Sequence, residues 1–289
     1  MKIPTKILKS GFEIPVFGLG TWEMGGKYVR DFHNNDKADI KAIQNAIDMG
    51  ITHIDSAEMY AAGHAEELVG LAIKKYEREK LLIASKISGE NLRYLDVFKS
   101  LKASLRRLQI KYLDLYLIHW PSFDIPIKET MRAMDELVKN GLVKYIGVSN
   151  FGTSRLQEAQ HYAKNKIVTN QVLYSLLARV PSEDGLLDYC QINDVLLTAY
   201  RPVEKGKLTK TSEPLLEEMC KKYDKTPPQI AINWLISQDN VVAISKMSNS
   251  LHLKENLGSL DWQMDKKDVG ILKKKFPRDK ELESDFPLR

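Results

Sequence analysis

The sequence predicts an α/β protein folded as one closed (β/α)8 barrel of the TIM type, with a short N-terminal β-hairpin closing its bottom. Eight apolar runs of strand length recur along the chain, and stretches of helical periodicity separate almost all of them. Each run is nearly continuous rather than alternating, as expected for parallel strands covered on both faces. Eight strand–helix units within 289 residues suit a closed barrel better than an open sheet. No linker, low-complexity stretch or charge block divides the chain, so residues 1–289 are expected to form a single domain.

The elements follow in order. A hairpin turning around Lys9-Ser10-Gly11 precedes a first strand from Pro15 to Thr21. Ile40, Ile43 and Ile47 recur at helical spacing between Asp39 and Met49, and Gly50 is a C-terminal stop. The strand Ile51–Asp55 follows, then a helix through Glu66 to Ile73, the strand Leu81–Lys86 and a helix over 94–107. Next come the strand Tyr112–His119 and a helix from Met131 to Asn140, closed by Gly141. The later strands are Tyr145–Ser149, Ile167–Gln171, Asp194–Tyr200 and Val241–Ile244. A doubly wound sheet would want a glycine-rich phosphate turn after its first strand. Gly18-Leu19-Gly20-Thr21-Trp22-Glu23 lacks the third glycine of that fingerprint, and no helix begins there.

Composition narrows the partners. Hydrophobic residues make up 43% of the chain, enough for a large core, and the net charge of +5 is a small excess of 43 basic over 38 acidic residues. There is no basic tail or basic–aromatic stripe, so nucleic acid is not an expected partner, whereas an anionic cofactor is compatible with the charge. Two cysteines, Cys190 and Cys220, cannot make a disulfide framework and point to a reducing cytoplasm. The start of the chain has no apolar stretch of signal-peptide length, and no run approaches membrane-spanning length.

Four residues carry the chemistry: Asp55, Tyr60, Lys86 and His119 stand at, or just past, the carboxyl ends of successive predicted strands. That end of a parallel barrel is its active face. A phenol with an ordinary pKa of about 10 is a poor donor near neutrality. An ammonium beside it favours the phenolate and lowers that value. Asp55 would hold Lys86 charged and in place, because an unpaired buried ammonium is costly. A neutral imidazole at His119 would donate to a carbonyl oxygen and orient it. The set suits protonation of an oxygen while a hydride attacks the adjoining carbon. Singly, each has a plainer role: an internal ion pair for Asp55 and Lys86, a loop aromatic for Tyr60, a strand-closing histidine for His119. No spacing among His33, His53, His64, His161 and His252 resembles a metal site, and no metal is expected.

With these residues in view, the chain resembles an aldo-keto reductase essentially end to end. Gly18-Leu19-Gly20-Thr21-Trp22, Asp55-Ser56-Ala57-Glu58-Met59-Tyr60, Ser85-Lys86, Leu117-Ile118-His119-Trp120-Pro121 and Gly147-Val148-Ser149-Asn150-Phe151 occur in the family's order. The resemblance implies NADPH or NADH extended across the barrel mouth and Tyr60 as general acid in the reduction of aldehydes and ketones. It implies that Ser149, Asn150 and Gln171 hold the nicotinamide carboxamide, with Tyr200 stacked beneath the ring and Thr21, Trp22 and Asp55 bordering it. Arg201, Pro202 and Val203 would follow the cofactor outward. Lys246, Met247, Ser248, Asn249 and His252 would meet the 2′-phosphate end, with Glu255 and Asn256 at the adenine. Trp22, Met59, Tyr60, His119, Trp120 and Phe123 would wall the substrate pocket.

Three departures from the family pattern bear on this. After Tyr200 stands Arg201-Pro202-Val203-Glu204-Lys205-Gly206 in place of a serine and Pro-Leu. Arg201 and Lys205 either approach the pyrophosphate or pair with Glu204 across the loop. Ser245 replaces a usual proline, and His252 stands where NADPH-specific members often carry an arginine. An imidazole cannot supply arginine's fixed charge and planar fork of donors. NADPH with a reduced preference, and some use of NADH, is therefore expected. Only 33 residues follow Asn256, too few for a large covering loop, which implies an open pocket and broad specificity. The same resemblance allows a second role, a cofactor-binding regulatory or redox-sensing subunit with little turnover, although a sensor has no need of the four-residue relay. A barrel hydrolase or isomerase would call for a metal cluster or paired carboxylates, and neither is visible. A small carbonyl compound is the expected partner and a monomer the expected state.

Overall fold

A computed structural model of the chain describes residues 2–209, 212–285 and 287–288. Two short strands, β1 (Thr5–Ile7) and β2 (Glu13–Pro15), pair antiparallel as the hairpin, with Lys6 opposite Ile14. The barrel strands are β3 (Phe17–Gly20), β4 (His53–Asp55), β5 (Leu82–Ile87), β6 (Leu113–Ile118), β7 (Val143–Ser149), β8 (Ile167–Leu173), β9 (Leu196–Tyr200) and β10 (Val241–Ser245). They pair in parallel in chain order, and β10 closes on β3 through Ile244 opposite Gly18. The predicted (β/α)8 architecture is what the chain adopts.

Helices follow the strands: α1 (Asp36–Asp48), α2 (His64–Ile73), α3 (Tyr94–Leu108), α4 (Ile127–Lys139), α5 (Thr153–Tyr162), α6 (Val180–Glu183) and α7 (Leu186–Ile192). The chain continues through α8 (Pro214–Tyr223), α9 (Pro227–Ile236), α10 (Ser250–Leu257), α11 (Lys266–Lys275) and α12 (Lys280–Asp285). The main apolar layer lies between strands and helices, where Phe17, Ile54, Ile83, Tyr116 and Trp234 are fully buried. A second cluster fills the barrel's lower interior: Leu8, Phe12 and Ile14 of the hairpin pack against Ala84, Leu115, Leu117, Leu196 and Val242. The hairpin therefore plugs the bottom and leaves the carboxyl ends of the strands as the open face. Lys6 locks the plug, its ammonium donating to the carbonyls of Ile236, Gln238 and Val241.

Some boundaries differ from the apolar runs for identifiable reasons. β4 begins at His53 because the Ile51 amide is taken by the Ala46 carbonyl at the end of α1. β9 begins at Leu196 because Asp194 adopts a left-handed backbone and its carboxylate accepts from the Lys9 and Ser10 amides of the hairpin turn. α4 starts four residues earlier than expected, after Pro126, where Glu129 accepts the Tyr94 amide and Thr130 donates to the Leu92 carbonyl.

Candidate active site

The strand ends deliver the four predicted residues to one place. Lys86, the fifth residue of β5, turns into the barrel, and Asp55 ends the neighbouring strand β4. Lys86 Nζ lies 2.5 Å from Asp55 Oδ1, donates to the Ser56 carbonyl at 2.7 Å and reaches the Tyr60 hydroxyl at 3.3 Å. Gln171, from β8, donates to the other carboxylate oxygen of Asp55 at 2.9 Å. Thr21 fixes the main chain around Asp55, its amide and hydroxyl both donating to the Asp55 carbonyl. His119 follows β6, and its ring stands edge-on to Tyr60 with centroids 5.6 Å apart.

Tyr60 is set by an unusual local backbone. Ala61 and Ala62 adopt left-handed conformations, with φ of 51° and 54°. Their amides donate to the Lys27 and Tyr28 carbonyls, which belong to the loop after β3. That loop is pinned in turn: Gly25 donates to Asp39, and His64 bridges Asp36 and Glu67 through its two ring nitrogens. His64 is thus structural.

Burial dominates the electrostatics. It pushes the Tyr60 phenol above its ordinary pKa, against the opposing pull of Lys86, so the sequence expectation of a net lowering is corrected. Burial also works against a charged Lys86, yet Asp55 and Tyr60 outweigh it and hold the ammonium above its ordinary value. Burial, helped by the Lys86 charge, holds His119 well below the usual imidazole range, so the ring is neutral. Its Nδ1 is buried with no hydrogen-bond partner. An orphaned lone pair there is cheaper than an orphaned N–H, so the proton belongs on Nε2, where the ring can donate.

A cavity of about 650 Å³ opens from this centre along the barrel mouth. Thr21, Trp22, Met59, His119, Trp120, Ser149, Asn150, Gln171, Tyr200, Arg201, Pro202, Val203, Lys246, Ser248, His252, Glu255 and Asn256 all line it, as the sequence anticipated. Three anticipated residues do not. Phe123 is 72% exposed beneath the Arg155 guanidinium, because the chain after Pro121 turns outward on the Ser122 hydroxyl. Met247 is buried in the layer between strands and helices, and Asn249 spends its side chain capping α10 through the Leu251 amide.

The inner cavity is polar and closely bonded. Tyr200 donates to Asn150 Oδ1 at 2.9 Å, while Asn150 Nδ2 donates to the His119 carbonyl and to Ser149 Oγ. These contacts hold the Tyr200 ring at the cavity wall beside a row of amide and hydroxyl groups. A flat heteroaromatic ring carrying a carboxamide matches that pairing. Arg201 pairs with buried Glu204 at 3.0 Å, the second of the two alternatives open from sequence.

Tyr28 and Glu23 are among the cavity residues that sequence reasoning did not single out. Tyr28 packs edge-on to Trp22, which packs edge-on to Tyr60, each pair 5.0 Å apart. It lies in an unpatterned loop that offers no signal. Glu23 lines the outer cavity; its place directly after Trp22 was the available hint.

Comparison with known proteins agrees with this fold. A family model described as Aldo/keto reductase family matches residues 16–276. A methylglyoxal reductase of Escherichia coli (strain K12) is 35% identical, over 92% of this chain and 93% of its own length. A thermostable aldo-keto reductase solved with the inhibitor epalrestat is 44% identical, with a TM-score of 0.90 and coverage of 94% of this chain and 99% of its own. An aldo-keto reductase from Klebsiella pneumoniae solved with NADPH is 33% identical, with a TM-score of 0.84 and coverage of 96% and 97%.

Proposed function

This chain belongs to the aldo/keto reductase family, and we propose that it reduces small aldehydes and ketones with a nicotinamide cofactor, Tyr60 giving the proton. The observation that carries the reading is the Tyr60 hydroxyl, 3.3 Å from an ammonium that is itself held 2.5 Å from Asp55, at the closed end of the cavity.

Ser149, Asn150 and Gln171 are the groups to hold the carboxamide of the nicotinamide, and Tyr200 is the ring to lie against it. Lys246, Ser248, His252, Glu255 and Asn256 take the other end of the dinucleotide. When bound, the reduced nicotinamide supplies the hydride.

The protein's share is orientation and proton delivery. His119, neutral and protonated on Nε2, donates to the substrate oxygen and turns it toward Tyr60. Burial keeps the phenol protonated until charge develops on that oxygen, and the Lys86 ammonium stabilises the phenolate left behind. Asp55 keeps Lys86 charged throughout. Trp22, Met59 and Trp120 exclude water from the reacting carbon. NADPH is preferred, consistent with the bound cofactor of the Klebsiella relative, and NADH serves less well. α-Dicarbonyls of the methylglyoxal type are favoured substrates, in keeping with the E. coli relative.

The test is the loss of NADPH absorbance with a panel of aldehydes, ketones and dicarbonyls, run on wild type and Tyr60→Phe. Turnover should fall about 10²- to 10⁴-fold in Tyr60→Phe while NADPH still quenches protein fluorescence. Tight cofactor binding with no turnover by wild type on any substrate would instead favour a sensing subunit.

A further inference from the structure

Two lips border the outer half of the cavity. One is the turn after β3, where Glu23 takes a left-handed backbone with φ of 67°. The other carries Lys205, in the turn Glu204–Thr209, and Lys246, just past β10. Glu23 ties them together. One carboxylate oxygen lies 3.5 Å from Lys205 Nζ and the other 3.7 Å from Lys246 Nζ, while the Glu23 main-chain carbonyl accepts from Lys246 at 3.2 Å. The side chain expected to receive a 2′-phosphate thus already has an anion and a carbonyl on it. Arg201 is engaged with Glu204, and His252 is an imidazole, so neither stands ready to replace it.

We infer that Glu23 is a specificity-determining residue for the dinucleotide: its carboxylate stands 3.7 Å from the Lys246 ammonium, so a 2′-phosphate must share that ammonium with a carboxylate or displace it. The inference rests on the cofactor reading above. The pair yields to a phosphate rather than excluding it. Glu23 and Lys246 side chains are about one-third exposed, 29% and 33%, and ion pairs in that environment are weak enough for a phosphate to displace. The displaced carboxylate stays within a few ångströms of the incoming charge and repels it. NADH has no 2′-phosphate and leaves the pair standing. The result is a reduced margin of NADPH over NADH without loss of binding to either.

The experiment titrates wild type, Glu23→Gln and Glu23→Lys with NADPH and with NADH by fluorescence quenching, at one fixed ionic strength. Circular dichroism confirms that the variants are folded. Glu23→Gln should tighten NADPH about three- to tenfold and change NADH by about twofold or less, with Glu23→Lys moving further the same way. Equal tightening of both dinucleotides overturns the inference, because the carboxylate would then act on the shared pyrophosphate. So does unchanged binding, or weaker NADPH binding, which would mean that the bridge clasps the cofactor. If wild type binds neither dinucleotide, the cofactor reading falls and takes the inference with it; the other outcomes leave that reading intact.

Discussion

Lys86 and Asp55 form an ion pair at 2.5 Å with side chains that are 0% and 2% exposed, so each is the other's only counter-charge at close range among the described residues. Removing one member leaves a buried charge uncompensated, at about 3–5 kcal/mol. Lys86→Met and Asp55→Asn should each destabilise the protein by that order in urea unfolding. The double variant should lose clearly less than the sum, since it strands no charge. Additive losses would show that the pair is not coupled as its geometry indicates.

Stability should fall in mild acid through His53. Burial lowers its pKa from 6.5 to about 4 in the folded protein, against a raising pull from Asp55. The unfolded chain therefore binds a proton between these values that the folded one does not. The stabilising contribution is present above pH 6.5 and is lost as the pH falls toward 4, amounting to about 3 kcal/mol. His119, shifted in the same direction, adds to the slope. His53→Leu should flatten the dependence of unfolding free energy on pH over this window; an unaltered slope would assign it to other groups.

Gly18 makes room for that imidazole. A Cβ at residue 18 would stand 2.5 Å from His53 Nδ1, closer than atoms pack. Gly18→Ala should cost about 1–3 kcal/mol by overpacking. Combined with His53→Ala the penalty should be much smaller than the two single losses added, which thermal unfolding of the four proteins would reveal.

Tyr200 should separate into a ring and a hydroxyl. Its OH donates to Asn150 Oδ1, and its ring lines the cavity. Tyr200→Phe keeps the ring and should hold NADPH within about threefold, while leaving a buried acceptor and losing about 1–2 kcal/mol of stability. Tyr200→Ala should weaken NADPH by about tenfold or more. Equal binding losses in both variants would assign the contribution to the hydroxyl.

Much of the site was legible because strand-end residues obey simple rules. A parallel strand is recognisable from its apolar run, its carboxyl end is the active face, and Asp55, Lys86 and His119 close such runs. Ser149, Gln171 and Tyr200 also end predicted strands, but it was the resemblance to the family that implied their roles. Legibility failed where the chain leaves the strand. Phe123 lies four residues past His119, and the turn on Ser122 points it to solvent. Met247 and Asn249 neighbour cavity residues in sequence but turn inward or cap a helix. Tyr28 enters the site from a loop without periodicity, held by amides of a left-handed turn that no propensity announces.

The sequence by itself determined the barrel, the order of its strands, the hairpin plug and the acid, phenol, amine and imidazole at the strand ends. These depend on hydrophobic periodicity and on the fixed polarity of parallel strands. Only the tertiary structure decided which way the phenol's pKa moves, which carboxylate Lys246 meets and which aromatics face the cavity. Those are set by burial and by distances between residues remote along the chain, such as the 3.2 Å from Lys246 to the Glu23 carbonyl.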